Sequence, residues 1–474
     1  MPRRALLIVC LIALAHAALY IWYQRPDWDT SWTDQVGYQR LGEVLATTGM
    51  FTRYPDAPIF VPEVVRTPGY PAFVATVYLV AGVGNHLAVA VAQAVVFTSI
   101  CLLVYLLARR ATNDRTAIVA AAATALFSPL PYFGALVLTE LWTAFVLTAA
   151  LVMCLRAVHT RTLVDFAVTG VLLSATTLVR PVFVLLPFFL AVAVPVLVRS
   201  QRAPRVLAGW GVLAVAATLT LAPWLAYNYI NLGQITLSPA GGIGRGLWEG
   251  SWQGRWAGRL QSELITLADE DISRDQLDAR VAATAAAAAL PADPMLQYVH
   301  EWRDIRAIWD TPQDPINRAK ARVVADQEYL KAALAHMRAD PVGHVMRRVT
   351  RGLFVLWAAE IPIRYSDINP TPTAAIRLIW LVQVVLLFAA IVGALRLVRD
   401  GRWLEAVVLT LPLIYVTGVH LPLLCEARQS LPVKPDMLVL AAIGIARRRE
   451  MMHDGNTALP VSISPVTSPE TANS

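Results

Sequence analysis

The sequence predicts an all-α protein that crosses a lipid bilayer about ten times. Three observations lead there: apolar runs of spanning length recur, charge is scarce, and arginines cluster between alternate runs. Of 474 residues, 57% are hydrophobic and 15% are charged, against about a quarter charged in a soluble domain, and the mean hydropathy is +0.53. A helix needs roughly 17–25 apolar residues to cross about 30 Å of hydrocarbon. Runs near that length occupy 5–23, 87–108, 116–138, 141–155, 163–179, 182–198, 206–226, 374–395, 403–424 and 431–446, with 141–155 and 431–446 the shortest.

The first run follows Arg3–Arg4 and contains Ala15-His16-Ala17, the pattern of a cleavable signal peptide. It continues uncharged to Tyr23, which favours an uncleaved first span. Residues 69–83 are apolar but short, with Pro71 near their start. Counting them as a span would invert the loops that follow, so the pattern favours a juxtamembrane or re-entrant helix on the outer face. On that count Arg3–Arg4, Arg109–Arg110–Arg115, Arg156–Arg161, Arg199–Arg202–Arg205, Arg396–Arg399–Arg402 and Arg447–Arg448–Arg449 share one side. The positive-inside rule makes that side cytoplasmic, with both termini on it. The net charge of +7 then reflects membrane topology. No basic stripe interleaved with aromatics suggests nucleic acid. Cys10, Cys101, Cys154 and Cys425 are far apart and read as apolar packing residues.

The expected organisation is a transmembrane module at 1–226 with a first outer loop at 24–86, a large helical extracytoplasmic region at 227–373, C-terminal spans at 374–446 and a disordered cytoplasmic tail at 447–474. Ser262–Ala289 and Pro315–Met337 have helical periodicity. Residues 342–360 place Arg347, Arg348 and Arg351 among Val and Phe, which suits a helix lying on the bilayer surface; the alternative is an eleventh span, which the Arg396–Arg402 cluster opposes. Trp248, Trp252 and Trp256 recur every four residues, as a membrane-anchoring face or a sugar-stacking platform. Gly241–Gly246 has neither a preceding strand nor a Lys-Ser/Thr ending, so it is no phosphate loop.

The chemistry-bearing residues sit at outer span ends. Asp34, in Asp34-Gln35-Val36-Gly37-Tyr38 of the first outer loop, is the candidate general base, with Asp27 and Asp29 as rivals. Glu140 follows Thr139; it is either a second active-site acid or a helix N-terminal carboxylate favoured by the dipole, with Thr139 as cap. Acidic residues at bilayer depth are costly and usually functional. Arg66, Arg180 and Arg428 are placed to pair with a lipid phosphate, or else to snorkel toward headgroups. Lys434, Tyr38 and Tyr70 are further binding candidates. The histidines show no ligand spacing, so no metal is assigned. A divalent cation held through Asp34 and Glu140 stays open.

In order, Asp34-x-x-x-Tyr38, Arg66-x-Pro68-Gly69-Tyr70-Pro71, Glu140, Leu178-Val179-Arg180-Pro181, Pro223-Trp224 and Ala427-Arg428 with Pro432 beyond resemble the GT-C membrane glycosyltransferases, the broad family of protein O-mannosyltransferases and the lipid A aminoarabinose transferase. The resemblance implies helices around an outward-facing cavity in an integral, multi-pass protein of a bacterial plasma membrane, a polyprenyl-phosphate-linked sugar as donor, a first-loop carboxylate as base, and inversion at the anomeric carbon. The acceptor stays open among a protein hydroxyl, a lipid A-type lipid and a polysaccharide. Two departures stand out: Glu140 occupies a position where some relatives carry Asp, and Arg428 precedes Gln429 where Tyr is common. The competing readings are an O-antigen-type polymerase or ligase, and a lipid or solute transporter. A transporter calls for mid-span charges and internal symmetry, and the sequence offers neither.

Overall fold

The computed structural model describes residues 2–28, 33–312, 314–364, 367–368 and 371–446, and among them every regular element is helical. The tail at 447–474, with Arg447–Arg449, lies outside the described residues. The first half comprises α1 (Pro2–Gln24), α2 (Thr33–Thr48), α3 (Gly69–Ala81), α4 (His86–Ala111), α5 (Asp114–Leu126), α6 (Pro129–Gly134), α7 (Glu140–Thr160), α8 (Leu163–Val179), α9 (Leu186–Leu197) and α10 (Pro204–Leu232). A second group follows: α11 (Ile243–Trp252), α12 (Gly258–Asp269), α13 (Arg274–Ala287), α14 (Asp293–Asp310), α15 (Pro315–Ala339), α16 (Pro341–Arg347) and α17 (Leu353–Ala358). The chain ends with α18 (Thr373–Arg399), α19 (Trp403–His420) and α20 (Lys434–Ile445).

This is a polytopic all-α membrane protein. Six helices, α1, α4, α7, α10, α18 and α19, are long and apolar enough to cross a bilayer. In α7, 72% of the apolar window is buried, against 17% in α1 and in α18. Accordingly α7 forms the centre of the bundle, while α1 and α18 turn Leu7, Leu11, Leu381, Val385 and Phe388 outward as lipid-facing surface. The main core joins Phe97 and Val104 of α4, Leu147, Leu151 and Leu155 of α7, Leu409 and Val416 of α19, and the whole of α20 from Met437 to Ile443.

Three expected spans are interrupted. Residues 116–138 break at Phe127–Ser128 into α5 and the short α6, because Pro129 and Pro131 cannot donate to a continuing ladder. Residues 182–198 begin in a 3-10 turn at Pro181–Phe183, and 431–446 begin in another at Ala427–Val433. Helix α3 has 13 residues, about 20 Å at 1.5 Å per residue, too short for about 30 Å of hydrocarbon. It packs on α2, α4 and α8.

The region from α11 to α15 has its own core of Trp248, Trp252, Trp256, Tyr298, Trp302 and Tyr329. Trp248 stacks on Tyr298 with centroids 5.1 Å apart, and Trp252 stacks on Trp256 at 5.5 Å. The four-residue tryptophan period is therefore the buried face of a packed unit. It is neither a membrane anchor nor an open sugar platform. The 342–360 segment also departs from a surface helix. It kinks through a π-turn at Arg348–Gly352, and Arg348 points inward, donating to the carbonyls of Leu421 and Gly250 at 2.9 and 2.8 Å and to Gln253 Oε1 at 2.5 Å. Those acceptors offset the cost of burying its charge.

Candidate functional site

The first-loop motif explains itself residue by residue. Gln35 donates to the Trp28 carbonyl (2.8 Å) and accepts from the Val137 N–H (2.9 Å), while Gln39 reaches the same Trp28 carbonyl at 3.0 Å. Trp28 in turn donates to the Ala135 carbonyl at 2.9 Å. The start of α2 is thereby fixed against the α6–α7 connection, with Asp34 in its first turn. Gly37 leaves a gap: a Cβ there would lie 2.5–2.7 Å from the Arg66 guanidinium atoms. Through that gap Arg66 crosses α2, donates to Asp34 Oδ1 at 3.2 Å and to the Asp34 carbonyl at 3.3 Å, and lies 4.7 Å over the Tyr38 ring.

The loop that delivers Arg66 is pinned by Glu63. This carboxylate is buried, paired with Arg53, and accepts the backbone N–H groups of Val65 (2.8 Å) and Arg66 (3.1 Å). Burial opposes its ionisation, but the bonds and charge from Arg53 outweigh burial and hold it below the usual carboxylate range. Beyond it Gly69 packs against the end of α8; a Cβ there would sit 2.7 Å from the Leu178 carbonyl oxygen.

The other three charged candidates meet the same network. Pro181 excludes its predecessor from the helical region, so Arg180 leaves α8 in extended geometry (φ −135, ψ 108) and its Nη2 donates to Glu140 Oε1 at 3.1 Å. Arg428 opens the 3-10 turn before α20 and donates Nη2 to Asp34 Oδ2 at 3.0 Å and Nε to Glu426 Oε2 at 3.0 Å. Its Nη1 is 3.8 Å from Glu140 Oε1. Asp34, Glu140, Arg66, Arg180 and Arg428 thus form one connected array, ordered Arg66–Asp34–Arg428–Glu140–Arg180, drawn from positions up to 394 residues apart in sequence.

Accessibility separates the two acids. The Asp34 side chain keeps 44% of its surface open and the Glu140 side chain 2%. Burial raises the Asp34 pKa, but Arg428 and then Arg66 outweigh it, leaving the carboxyl below its ordinary range. Burial likewise disfavours charge on Arg428, yet Glu426, Glu140 and Asp34 together hold it protonated beyond the ordinary arginine range. An exposed carboxylate flanked by guanidiniums can accept a proton while a phosphate is held beside it.

Comparison with known proteins gives two kinds of likeness. Residues 65–227, about a third of the chain, match the dolichyl-phosphate-mannose-protein mannosyltransferase family. The whole fold superposes on the archaeal oligosaccharyltransferase AglB from Archaeoglobus fulgidus, in complex with an inhibitory peptide and a dolichol-phosphate, at TM-score 0.51 and 16% identity, covering 94% of this chain and 50% of that one. The fold is that of the GT-C membrane glycosyltransferases. The chain spans about half the length of that oligosaccharyltransferase. ArnT from Cupriavidus metallidurans, bound to undecaprenyl phosphate, is more distant, at TM-score 0.39 and 13% identity over 92% of this chain and 77% of that one. No curated protein sequence matches.

Within this GT-C fold the remaining candidates have other places. Tyr70 is fully buried, its hydroxyl donating to Gln93 Oε1 at 3.0 Å, and its ring meets Tyr38 edge-on at 5.2 Å. Lys434 is fully buried, donating to the Trp357 carbonyl at 2.8 Å with Nζ 5.0 Å from the Trp357 ring centroid. Both are held by the protein's own groups, away from an open surface. Thr139 makes no side-chain cap bond to α7, so the expected Thr139 cap is absent. Of Asp27 only the backbone is described, and Asp29 lies outside the described residues. The position between Asp34 and Glu140, where a bridging divalent cation would have to sit, is taken by the Arg428 guanidinium; the residues present do not fit a metal bridging that pair.

The sequence reading passed over Glu426, Glu63 and Gly37. Glu426 had a local signal, a capping box in which it accepts from the turn and Gln429 answers its backbone N–H at 3.1 Å. Gly37 had none, because it matters only through Arg66, which folding brings to it. Glu63 stands near Arg66 in sequence, but its burial and its pairing with Arg53 exist only in the fold.

Proposed function

We propose that this protein transfers a sugar from a polyprenyl-phosphate donor to an acceptor hydroxyl at the extracytoplasmic face of the membrane. Asp34 takes the acceptor's proton as its oxygen attacks the anomeric carbon. The bond from that carbon to the phosphate oxygen breaks, and the departing polyprenyl phosphate keeps the electron pair. Arg66 and Arg428 lie beside Asp34 to stabilise the charge that grows on the phosphate. Arg180 and Glu140 brace Arg428 from the buried side. The observation that carries this reading is the contact of one half-exposed carboxylate with two arginines from separate segments, Arg66 at 3.2 Å and Arg428 at 3.0 Å. The dolichyl-phosphate-mannose family segment and the dolichol-phosphate named with the archaeal protein support the donor class.

The domain reading goes with it: residues 1–226 supply the donor site, 227–373 cover it, and the last spans bring in Arg428. The test is donor turnover by purified protein with a panel of polyprenyl-phosphate sugars. Asp34→Asn should lower release of polyprenyl phosphate by about 10²–10⁴-fold while still binding the lipid. Equal release by wild type and a folded Asp34→Asn variant removes Asp34 from the mechanism. Substrate flux into proteoliposomes without bond cleavage overturns the transferase reading altogether.

A further inference from the structure

Beside the transfer site lies a recess whose positive charge the chemistry above does not use. It forms between the first loop and α15 as a narrow cleft partly open to solvent, lined by Arg53, Tyr54, Glu63, Arg318 and Arg322. Its base is the small apolar cluster of Val61, Val64, Ala240 and Ala319, which holds the loop and α15 together and keeps the arginines in place. Three guanidiniums therefore face one carboxylate. Glu63 is already taken by Arg53, whose Nη2 donates to Oε1 at 2.7 Å. Arg318 donates Nε to the Pro312 carbonyl at 3.2 Å, a neutral acceptor. Arg322 makes no hydrogen bond or ion pair with any described residue and is partly withdrawn from solvent. Burial and then the charge of Arg53 lower its pKa. A guanidinium so placed is unfavourable in the free protein and becomes favourable when an oxyanion enters.

We propose that this recess binds a phosphate group of the substrate, as a second anion site alongside the one at Asp34. It has a direct route to the transfer site. Glu63 Oε1 accepts from Arg53 and also from the N–H groups of Val65 and Arg66, so an anion that draws on Arg53 acts on the turn that aims Arg66. The phosphate has two chemical sources: the second phosphate of a diphosphate-linked donor, or a phosphate carried by the acceptor. The proposal deepens the transferase reading and rests on it for the identity of the substrate, while the site itself is testable alone.

The test uses full-length protein in detergent and calorimetric titration with inorganic phosphate. The expected result is a binding phase weakened at least tenfold in Arg322→Gln, partly restored in Arg322→Lys, and unchanged in Arg428→Gln, which alters the transfer site instead. Arg322→Gln should melt no lower than wild type, because it relieves repulsion; Arg318→Gln provides a second variant with the same expected direction. Phosphate binding that is absent from wild type, or that follows Arg428 and ignores Arg322, overturns the proposal. Titration with undecaprenyl phosphate and undecaprenyl diphosphate separates the sources. Selective weakening of the diphosphate in Arg322→Gln supports the donor's second phosphate, and equal binding of both lipids alongside weakened free phosphate supports the acceptor. Arg322-dependent phosphate binding in a protein that binds neither lipid leaves the recess standing and sinks the transferase reading.

Discussion

Gly37→Ala separates the site from the scaffold with one methyl group. The new Cβ would meet Arg66 Cζ at 2.5 Å and its two terminal nitrogens at 2.6 and 2.7 Å, so the guanidinium must leave. It is the far end of a flexible side chain, and moving it strains no backbone. The loss falls instead on the Arg66 bonds to Asp34 at 3.2 and 3.3 Å and on its placement 4.7 Å over Tyr38. Hydrogen bonds involving charged groups are worth about 1.5–3 kcal/mol, which corresponds to roughly 10–100-fold in rate at about 1.4 kcal/mol per tenfold. Meanwhile alanine is favoured over glycine in a helix interior by about 1 kcal/mol, and position 37 lies within α2. The variant should melt at or above the wild-type temperature while its release of polyprenyl phosphate falls about 10–100-fold. Gly42→Ala is the control: its Cβ would meet Val74 Cγ1 at 2.5 Å and Val74 Cβ at 2.9 Å, a branched buried side chain with little freedom, so it should lower stability first. Wild-type turnover in Gly37→Ala, or a rate loss that only tracks its melting temperature, refutes the assignment of Arg66.

Gly69→Ala drives a Cβ to 2.7 Å from the Leu178 carbonyl oxygen, where backbone must move, and should destabilise the protein by about 1–3 kcal/mol in a denaturant melt. Glu140→Gln leaves Arg180 and Arg428 short of a buried counter-charge; the expected loss is on the order of 3 kcal/mol, and an unchanged melt would reduce Glu140 to a bystander. The pH response follows from Asp34. Its folded pKa lies below the ordinary value, so its contribution to stability is present above the unfolded pKa and is lost only as pH falls through the lower folded one. The free wild-type protein should therefore show no acid limb from Asp34 in kcat/KM between about pH 5 and 8. Arg428→Gln removes the larger opposing charge and leaves burial dominant, so an acid limb should move up toward that window.

The class of the fold was legible because bilayer thickness imposes itself on every span through hydropathy alone. α1, α4 and α18 are single uninterrupted runs with charges at their ends, and a period and a length suffice for them. What failed locally was continuity. The 116–138 run is apolar throughout, yet Pro129 and Pro131 divide it, and mean hydropathy does not register a missing N–H. The tryptophans of α11 misled for a different reason. An amphipathic stripe shows that a face is covered but does not name the cover, and here it is Tyr298, Trp302 and Tyr329 from α14 and α15. The five principal site candidates were legible as charges at span ends. Their pairing was not, since Arg428 and Asp34 become neighbours only after the last helices close on the first loop.

The charge arithmetic of the array bears on how the proposed transfer proceeds. Asp34, Glu140 and Glu426 stand opposite Arg66, Arg180 and Arg428, so the free site is balanced without substrate. A sugar-phosphate diester enters with one negative charge and leaves as a monoester with up to two. Over the same step Asp34 takes a proton and gives up its own charge. Negative charge therefore passes from the carboxylate to the phosphate while the guanidiniums stay where they are, and the array sees the same total before and after. With the guanidiniums already fixed in place, that constancy removes most of the reorganisation a growing charge would demand. It also gives Asp34's low pKa a purpose: the arginines that make it a weak base in the free protein share their charge with an arriving phosphate without moving, so the carboxylate becomes more basic when the donor is in place.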